Sequence, residues 1–388
     1  LGELARRVLE VTPVRFQVAS WRPGRPSVTL WGPRGARRVL AVPARGLDGV
    51  RFFPDGERLL TWSHDSATVI WDARSGEAVR VGARGRQITD AHVLARPDRV
   101  VTCDLRAACQ VWSPEGVVSA RFSEWPGIRP RVDTRIEAFP SGDRLVLWGT
   151  DVLDGLRFFG PVVWDASSGE VVCRSQESNY EVRGARVLPR GERFATYTFN
   201  SPDVFIWSAQ SCGVLRNLAH TTRAEEVIDV EALGTREFIA VVSWEETLHT
   251  TVWDTVSGEF VCRLPATYRL AAFPSQSLLA AVGSTSIAVW DTAACRVLYR
   301  LDAHDVEHVA IAPGGRELVA CSLEQVIVWD LASRSRSHTF NMSGWHDGGL
   351  DAGWHGFQYS PIWRVELGAG RVLDPEGFGR GRPWQELS

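Results

Sequence analysis

The stretch T-V-I-W-D-A-R-S-G-E, from Thr68 to Glu77, decides the fold because close variants of it recur along the chain. P-V-V-W-D-A-S-S-G-E follows from Pro161 to Glu170, and T-V-W-D-T-V-S-G-E from Thr251 to Glu259. A tryptophan ends the same kind of short β-branched run at Trp31, Trp71, Trp112, Trp164, Trp207, Trp253, Trp290 and Trp329. The spacings are 40, 41, 52, 43, 46, 37 and 39 residues. Such a period is typical of repeat folds whose units bury their apolar faces only against neighbouring units.

The text between the tryptophans predicts four short strands per unit. A turn rich in Ser and Gly follows each tryptophan, and an apolar strand such as Glu259 to Leu264 comes next. A second strand ends in a turn such as F-P-D-G (Phe53 to Gly56), a third follows at once, and the fourth carries the next tryptophan. Tight turns between apolar runs indicate antiparallel meanders, which form the blades of a propeller when they are arranged radially.

The residue after the tryptophan is often aspartate, as at Asp72, Asp165, Asp254, Asp291 and Asp330. With these pairs the chain resembles the tryptophan-aspartate (WD) repeat family from about residue 16 to residue 340. The resemblance implies an all-β propeller of four-stranded antiparallel blades. Blades of this family often contain a buried hydrogen-bonded set of His, Ser or Thr, Asp and Trp. The resemblance therefore assigns structural roles to Thr61, Asp65 and the eight tryptophans.

The unit around Trp31 is incomplete, because only two further strands accompany it, at Val14 to Ser20 and at Arg37 to Val42. An unpaired innermost edge has to be covered, so we expect the missing strand to come from the C-terminal end. The candidate is Trp354 to Ser360, extended by Trp363 to Leu367. This predicts eight blades in a ring closed by N- and C-terminal strands; the alternative is seven blades with an extra hairpin.

The predicted organisation has three parts. Residues 1–12 carry apolar residues at helical spacing and are interpreted as a short helix or a linker from an upstream domain. Residues 13–367 form the propeller, and residues 368–388 form a C-terminal tail.

Charge and cysteine content restrict the class of partner and the compartment. The net charge of −3 creates no strong field for nucleic acid or an anionic membrane, and no run of eighteen apolar residues predicts a membrane span. The 7 cysteines include no C-x-x-C pair. They are interpreted as small buried thiols of a reducing compartment, which predicts a cytoplasmic protein.

Motifs for catalysis are absent from the sequence: there is no G-x-S-x-G, no H-E-x-x-H, no phosphate-binding loop and no dinucleotide fingerprint. No catalytic residue, cofactor or enzymatic activity is predicted. The loop Gly344 to Gly356 contains His346, Asp347, Asp351 and His355, which are residue types that bind metals. Because its histidines lie nine residues apart among glycines, the loop is interpreted as a turn-rich connector, and no metal site is predicted.

The period breaks before Trp164, where Phe122 to Arg131 and Gly149 to Gly160 lengthen one unit. In the strand order of the family both segments emerge on the same face of the ring. Their aromatic, aliphatic and Arg residues are typical of interface hot spots. The predicted partner-binding residues are Trp125, Ile128, Arg129, Leu153, Leu156, Phe158 and Phe159, with Trp244 in a second patch on the same face. The alternative is that these residues fold back onto the blade or lengthen its strands.

The predicted function is a non-catalytic scaffold that binds a protein or peptide, as the sensor or regulatory part of a larger bacterial signalling protein. Neither nucleic acid nor membrane is an expected partner. A hydrolase or metal-dependent enzyme that uses His64, Asp65 and the Gly344 to Gly356 loop in the central channel is the alternative. RNA binding through G-F-G-R-G-R (Gly377 to Arg382) ranks third.

Overall fold

The computed structural model describes residues 17–21, 26–31, 37–53, 55–64, 68–81, 87–95, 98–106, 108–122, 132–151, 158–175, 182–198, 201–218, 226–234, 237–244, 248–265, 267, 269–274, 276–306, 308–312, 315–322, 325–341 and 364–368. The secondary-structure elements in these ranges are β-strands. None of the described segments forms a helix long and apolar enough to cross a membrane.

Within the described ranges, seven blades each consist of four consecutive antiparallel strands. The strands of the first to third blades are β4 Gly49–Phe52, β5 Arg58–Trp62, β6 Val69–Asp72 and β7 Ala78–Val81; β8 Ile88–Ala95, β9 Asp98–Asp104, β10 Cys109–Trp112 and β11 Val118–Phe122; β12 Val132–Ala138, β13 Arg144–Asp151, β14 Phe158–Asp165 and β15 Val171–Arg174. Those of the fourth and fifth blades are β16 Val182–Val187, β17 Arg193–Thr198, β18 Val204–Ser208 and β19 Val214–Asn217; β20 Glu226–Leu233, β21 Phe238–Trp244, β22 Leu248–Asp254 and β23 Phe260–Leu264. Those of the sixth and seventh blades are β24 Arg269–Ala272, β25 Leu278–Val282, β26 Ser286–Asp291 and β27 Arg296–Asp302; β28 His308–Ile311, β29 Glu317–Cys321, β30 Gln325–Asp330 and β31 Ser335–Asn341.

The first strand of each blade lies innermost, and the innermost strands of successive blades contact one another from β4 to β28. The third strand of each blade ends with the recurrent tryptophan or one residue beyond it. The four-stranded antiparallel blade predicted from the repeat is therefore the building unit of the chain.

A further four-stranded sheet joins the two ends of the described chain, in the order β3-β2-β1-β32. Its strands are β1 Gln17–Trp21, β2 Ser27–Trp31, β3 Arg37–Ala41 and β32 Arg364–Gly368. In the antiparallel pair of β1 and β32, Val18 lies opposite Leu367 and Trp21 opposite Arg364. The strand beside β1 is thus the segment R-V-E-L-G, which alternates polar and apolar residues, and it overlaps the expected extension rather than the main candidate. That main candidate, Trp354 to Ser360, the expected helix in residues 1–12 and the tail after Gly368 lie outside the described residues.

The hydrophobic core is divided into clusters that lie between neighbouring sheets. One cluster combines Leu94 and Val101 of the second blade with Leu145 and Trp164 of the third, and the rings of Trp164 and Phe122 lie 5.4 Å apart. The other described tryptophan side chains of the repeat likewise pack against the preceding sheet: Trp71, Trp112, Trp207, Trp253, Trp290 and Trp329. Each buried aromatic side chain contributes a large apolar area, so these seams provide most of the cohesion between blades.

The aspartate after the tryptophan closes the turn that follows. In the first blade Oδ1 of Asp72 accepts hydrogen bonds from the backbone N–H groups of Arg74 and Ser75, at 2.8 and 2.6 Å. Asp165 receives the same pair of bonds from Ser167 and Ser168. The Trp-Asp pair therefore combines a core anchor with a side-chain turn cap.

The same turn ends in a left-handed backbone conformation five residues after the tryptophan. Glycine occupies this position in three blades, for example Gly258 with φ 79°. The fourth and sixth blades have Cys212 and Cys295 there, with φ 50° and 51°, and the seventh has Arg334 with φ 56°. A residue with a Cβ atom is less favourable than glycine in this conformation, so these three positions carry a local backbone cost.

The interpretation of all cysteines as unpaired thiols is wrong for two pairs. Cys103 and Cys109 lie opposite each other on β9 and β10 and form a disulfide. Cys173 of the third blade forms a disulfide with Cys212 of the fourth. Their spacings of 6 and 39 residues match no recognisable sequence motif, because strand register and blade packing bring the sulfur atoms together. The cysteine argument for a cytoplasmic location therefore loses its basis, and that location stays a prediction.

Candidate functional site

We call the upper face the edge of the propeller at which the innermost strands begin and the second strands end. The antiparallel pairing puts these two ends side by side, as Gly49 and Trp62 in the first blade and Glu226 and Trp244 in the fifth. Loops between the second and third strands also start here. Residues far apart in the sequence are thus collected on one surface.

Trp244 is the part of the predicted partner site whose side chain the structure places on this face. It is the last residue of β21, and 40% of its surface is exposed. Its strand neighbour Glu226 accepts a hydrogen bond of 2.6 Å from Nη1 of Arg183 in the preceding blade. Nη1 of Arg183 also donates to the carbonyl oxygen of Val227, at 3.3 Å. An exposed indole beside a fixed ion pair has the composition of a binding hot spot.

The third-blade insertion lengthens the strands of its blade. β13 continues to Asp151 and β14 begins at Phe158, with Thr150 opposite Phe158 and Gly149 opposite Phe159. The expectation that Phe158 and Phe159 lie in a loop is therefore wrong, because aromatic residues extend the ladder at this edge. The remaining predicted residues of the insertion, Trp125, Ile128, Arg129, Leu153 and Leu156, lie outside the described segments.

The residues named for a channel enzyme are only partly described. Nδ1 of His64 lies 2.8 Å from Oδ2 of Asp48, and the backbone N–H of His64 donates to the same oxygen. This pair links the start of β4, which follows Asp48, to the end of β5, which precedes His64. Asp65 and the Gly344 to Gly356 loop are outside the ranges that the structure covers. Within those ranges no group of three or more His, Cys, Asp or Glu side chains is arranged to hold a metal ion.

A charged ring on the innermost strands was not anticipated from the sequence. It consists of Arg51, His92, Glu137, Arg186 and Glu231, one from each of the first five blades. On the second strand of each of these blades, one residue pairs with the recurrent tryptophan and the next residue pairs with the ring member. In the first blade Leu59 pairs with Trp71, and Leu60 pairs with Arg51. The five residues therefore occupy equivalent positions in the repeat.

Members of the charged ring contact one another across the blade seams. Nη1 of Arg51 lies 3.2 Å from Nε2 of His92 in the next blade. Nε of Arg186 lies 3.5 Å from Oε2 of Glu231, and its Nη2 lies 3.7 Å from Oδ1 of Asp229. Polar side chains on neighbouring innermost strands thus contact each other at the seam of the first and second blades and at the seam of the fourth and fifth.

Burial and pairing set the protonation of the ring. Burial raises the pKa of Glu231 to about 7, although the charge of Arg186 acts in the opposite direction. The pKa of Glu137 is also raised by burial, against the charges of Arg186 and Arg51. Burial and the charge of Arg51 lower the pKa of His92 well below its usual value, so its ring is neutral and Nε2 can accept a hydrogen bond from the guanidinium N–H.

Asp90 and Asp229 form a second layer on the same strands. Each follows a β-bulge and accepts a hydrogen bond of 2.9 Å from the next backbone N–H, that of Ala91 or Val230. Asp90 also accepts one of 3.0 Å from the backbone of Ile136 in the next blade. Burial raises the pKa of Asp90 in spite of Arg135 and Arg51. These carboxylates are held by fixed backbone donors, which points to a structural role between blades.

The sequence carries a signal for the ring in the polar residues of two innermost strands. Innermost strands are expected to be apolar, yet V-I-D-V-E-A in β20 carries acidic residues at Asp229 and Glu231, and R-G-A-R-V in β16 carries Arg183 and Arg186. Successive members of the ring lie 41 to 49 residues apart in the sequence, so no local motif reveals their contacts.

Comparison with protein-family models gives no match. Among curated proteins the chain is similar to Pre-mRNA-processing factor 19 of Oryza sativa subsp. japonica, with 23% identity over 208 residues. The match covers 50% of this chain and 37% of that relative, so the chain spans little more than a third of the relative's length.

Two solved structures share the architecture. A computationally designed protein, Ika8, superposes with a TM-score of 0.62 and 16% identity over 79% of this chain and 91% of its own. Saccharomyces cerevisiae Sqt1 superposes with a TM-score of 0.59 and 13% identity over 75% of this chain and 83% of its own. At these identities the similarity concerns the fold alone.

Proposed function

Because the chain is a WD-repeat β-propeller, we propose that it is a non-catalytic scaffold that binds a protein or peptide on its upper face. The single observation that carries this proposal is Trp244, a large aromatic side chain exposed on that face beside the Arg183–Glu226 ion pair. Indole and guanidinium groups are the side chains most often found at the energetic centre of protein interfaces.

The surroundings of Trp244 support a surface that is formed before the partner arrives. The neighbouring fourth blade packs its upper loop against β20, since the backbone N–H of Val227 donates to the carbonyl oxygen of Ser201 at 3.2 Å. Oδ1 of Asp203 in the same loop accepts a hydrogen bond from Nδ2 of Asn217 at 3.0 Å. A patch held in place by such bonds loses little conformational entropy on binding.

The name of the rice relative places that protein in pre-mRNA processing, and we transfer no pathway from it to this chain. What we propose to be common is the use of a propeller as a binding platform. A regulatory role in a larger bacterial signalling protein and a cytoplasmic location stay predictions of the sequence.

Replacing Trp244 by Ala tests the proposed face. Affinity capture with the whole chain should recover a set of partners, and the Trp244→Ala variant should bind them with at least about tenfold lower affinity. A tenfold change corresponds to about 1.4 kcal/mol of binding free energy, and hot-spot residues contribute more than that. Leu215→Ala is the matched control, since Leu215 is 42% exposed but lies on an outermost strand. Unchanged capture by Trp244→Ala contradicts the proposal. A variant carrying Phe158→Ala and Phe159→Ala tests the third-blade insertion in the same assay.

We further propose that the sheet of β1, β2, β3 and β32 acts as an eighth blade that closes the ring. The pairing of β32 with β1 and its contacts with β28 and β4 support this. Deleting residues 353–388 should lower the melting temperature clearly, whereas deleting residues 369–388 keeps β32 and should not. Equal melting temperatures for the two truncated chains and the whole chain would remove the proposal.

A further inference from the structure

The remaining thiols include two that lie against each other across a blade seam. Cys262 is a buried residue of β23 in the fifth blade, and Cys295 is an exposed residue of the turn after β26 in the sixth. The two side chains are close enough to interact electrostatically. Burial, together with the hydrogen bond and charge of Cys295, raises the pKa of Cys262 to about 12.

The pair repeats the arrangement of an existing disulfide. Cys173 and Cys262 both lie nine residues after a tryptophan, and each pairs with the residue before that tryptophan, Val163 or Val252. Cys212 and Cys295 both lie five residues after the tryptophan of the following blade. The backbone at these two positions is nearly identical, with φ 50° and 51°. The Cys173–Cys212 bond therefore shows what geometry the seam offers to Cys262 and Cys295.

Other seams fill the same two positions with different partners. Between the fourth and fifth blades Arg216 meets Gly258, and a Cβ atom on that glycine would lie 3.4 Å from Cδ of Arg216. Between the sixth and seventh blades the guanidinium of Arg334 stacks over the ring of Tyr299, at 4.6 Å from its centroid. In the two cysteine seams, cysteine thus occupies both of these positions. In each of them one cysteine lies at a left-handed position that glycine occupies in other blades.

We propose that Cys262 and Cys295 form a modification site, a dithiol that a small-molecule disulfide such as oxidised glutathione converts into a covalent link between the fifth and sixth blades. The thiolate of Cys295 attacks one sulfur of the small disulfide, forms a mixed disulfide and releases one small thiol. The sulfur of Cys262 then attacks Sγ of Cys295, loses its proton and displaces the second small thiol. Two protein thiols are oxidised, one small disulfide is reduced to two thiols, and the two protons pass to the released thiolates.

Exposure fixes the order of these steps. Cys295 is accessible to a soluble oxidant, whereas Cys262 is 3% exposed and is shielded from it. Once Cys295 is in the mixed disulfide, the sulfur of Cys262 across the seam acts as the resolving nucleophile.

Closing the link joins residues separated by 33 positions in the sequence. Restricting the unfolded chain by a loop of that length should raise the melting temperature by about 4 °C in a protein of this size. The reduced and oxidised forms therefore differ in a property that is measured without any knowledge of the partner.

The test uses the full chain, reduced and then equilibrated with defined ratios of oxidised and reduced glutathione. Tryptic digestion after alkylation should reveal peptides 237–263 and 270–296 joined by a disulfide. The melting temperature should rise with the same dependence on the glutathione ratio. Cys262→Ser and Cys295→Ser should each abolish both effects, and Cys321→Ser, which removes another buried unlinked thiol, should preserve them.

Two results would overturn the proposal. In one, both thiols stay open to alkylation under conditions in which Cys173 and Cys212 are linked. In the other, Cys295 retains glutathione or pairs with a second copy of the chain while Cys262 remains a thiol. Because the readouts are peptide masses and melting temperatures, the outcome does not depend on whether the upper face binds a partner.

Discussion

Nε1 of Trp71 donates a hydrogen bond to Oγ1 of Thr61, 3.0 Å away, and both side chains are buried in the seam between the N-terminal sheet and the first blade. The second and fourth blades repeat this bond, with Thr102 at 3.3 Å and Thr196 at 2.8 Å from the indole nitrogen. In the third blade Leu147 stands in the equivalent place. There the Nε1 group of Trp164 has no acceptor among the residues that the structure describes. The polar tie within a blade is thus retained in some repeats and lost in others, while the burial of the tryptophan persists.

Thr61→Val should destabilise the protein by about 1–2 kcal/mol, because it leaves the buried Trp71 N–H without its acceptor while keeping the side-chain shape. Urea denaturation, with the midpoint and slope fitted together, measures the change. Thr134→Val is the matched control: Thr134 is equally buried, but its hydroxyl has no hydrogen-bond partner within the described segments. A loss at Thr134 as large as the loss at Thr61 would contradict the assignment.

Arg99→Met should cost about 2–4 kcal/mol, because Arg99 is buried and its guanidinium ties the second blade to the third. It donates to the carbonyl oxygens of Ala166 and Gly142, at 2.9 and 3.2 Å. Arg74→Met removes an exposed ion pair with Glu57 and should change stability by no more than about 0.5 kcal/mol. Thermal unfolding of the two variants side by side distinguishes a buried tie from a surface charge.

Glu231 should make stability depend on pH near neutrality. Its pKa in the folded protein is about 7, above its ordinary value of 4.5, so the folded state binds this proton more tightly than the unfolded state. The resulting stability is complete below about pH 4.5 and is lost as the pH rises through 7. The glutamine of the Glu231→Gln variant does not titrate, so the variant does not lose this stability. Its free energy of unfolding should therefore rise relative to that of the parent by on the order of 1–3 kcal/mol between pH 5 and pH 8.

Denaturant titrations of both proteins at several pH values across that interval measure the difference. A parallel pH dependence in the parent and the Glu231→Gln variant would show that Glu231 does not titrate there.

Gly49→Ala should destabilise the first blade by about 1–3 kcal/mol through overpacking. Gly49 pairs with Trp62 of the neighbouring strand, whose ring lies over the glycine. A Cβ atom at Gly49 would lie 2.0 Å from that ring. Gly213→Ala is the control, since its nearest neighbour would be Oγ of Ser211 at 3.4 Å and its backbone is not left-handed. Differential scanning calorimetry should separate the two variants, and equal melting temperatures would count against the close packing at Trp62.

The upper-face patch was only partly predictable from the sequence. The sequence predicts a second patch with Trp244 on this face, and the side chain of Trp244 is exposed in the fold. The sequence predicts Phe158 and Phe159 in a loop, but the ladder between β13 and β14 continues through them. The length of an insertion shows that a repeat is irregular, whereas the division between strand and loop depends on backbone pairing with the neighbouring strand.

The repeated unit follows from the sequence alone: a tryptophan about every forty residues, short apolar strands and tight turns are enough to predict four-stranded blades, because each of these features is local. The tertiary structure decided which distant residues meet. Arg186 and Glu231, or Cys173 and Cys212, lie in different blades, and only the packing of one blade on the next brings their side chains together. Their contacts follow from the geometry of the ring, which assigns equivalent positions of successive repeats to one seam after another.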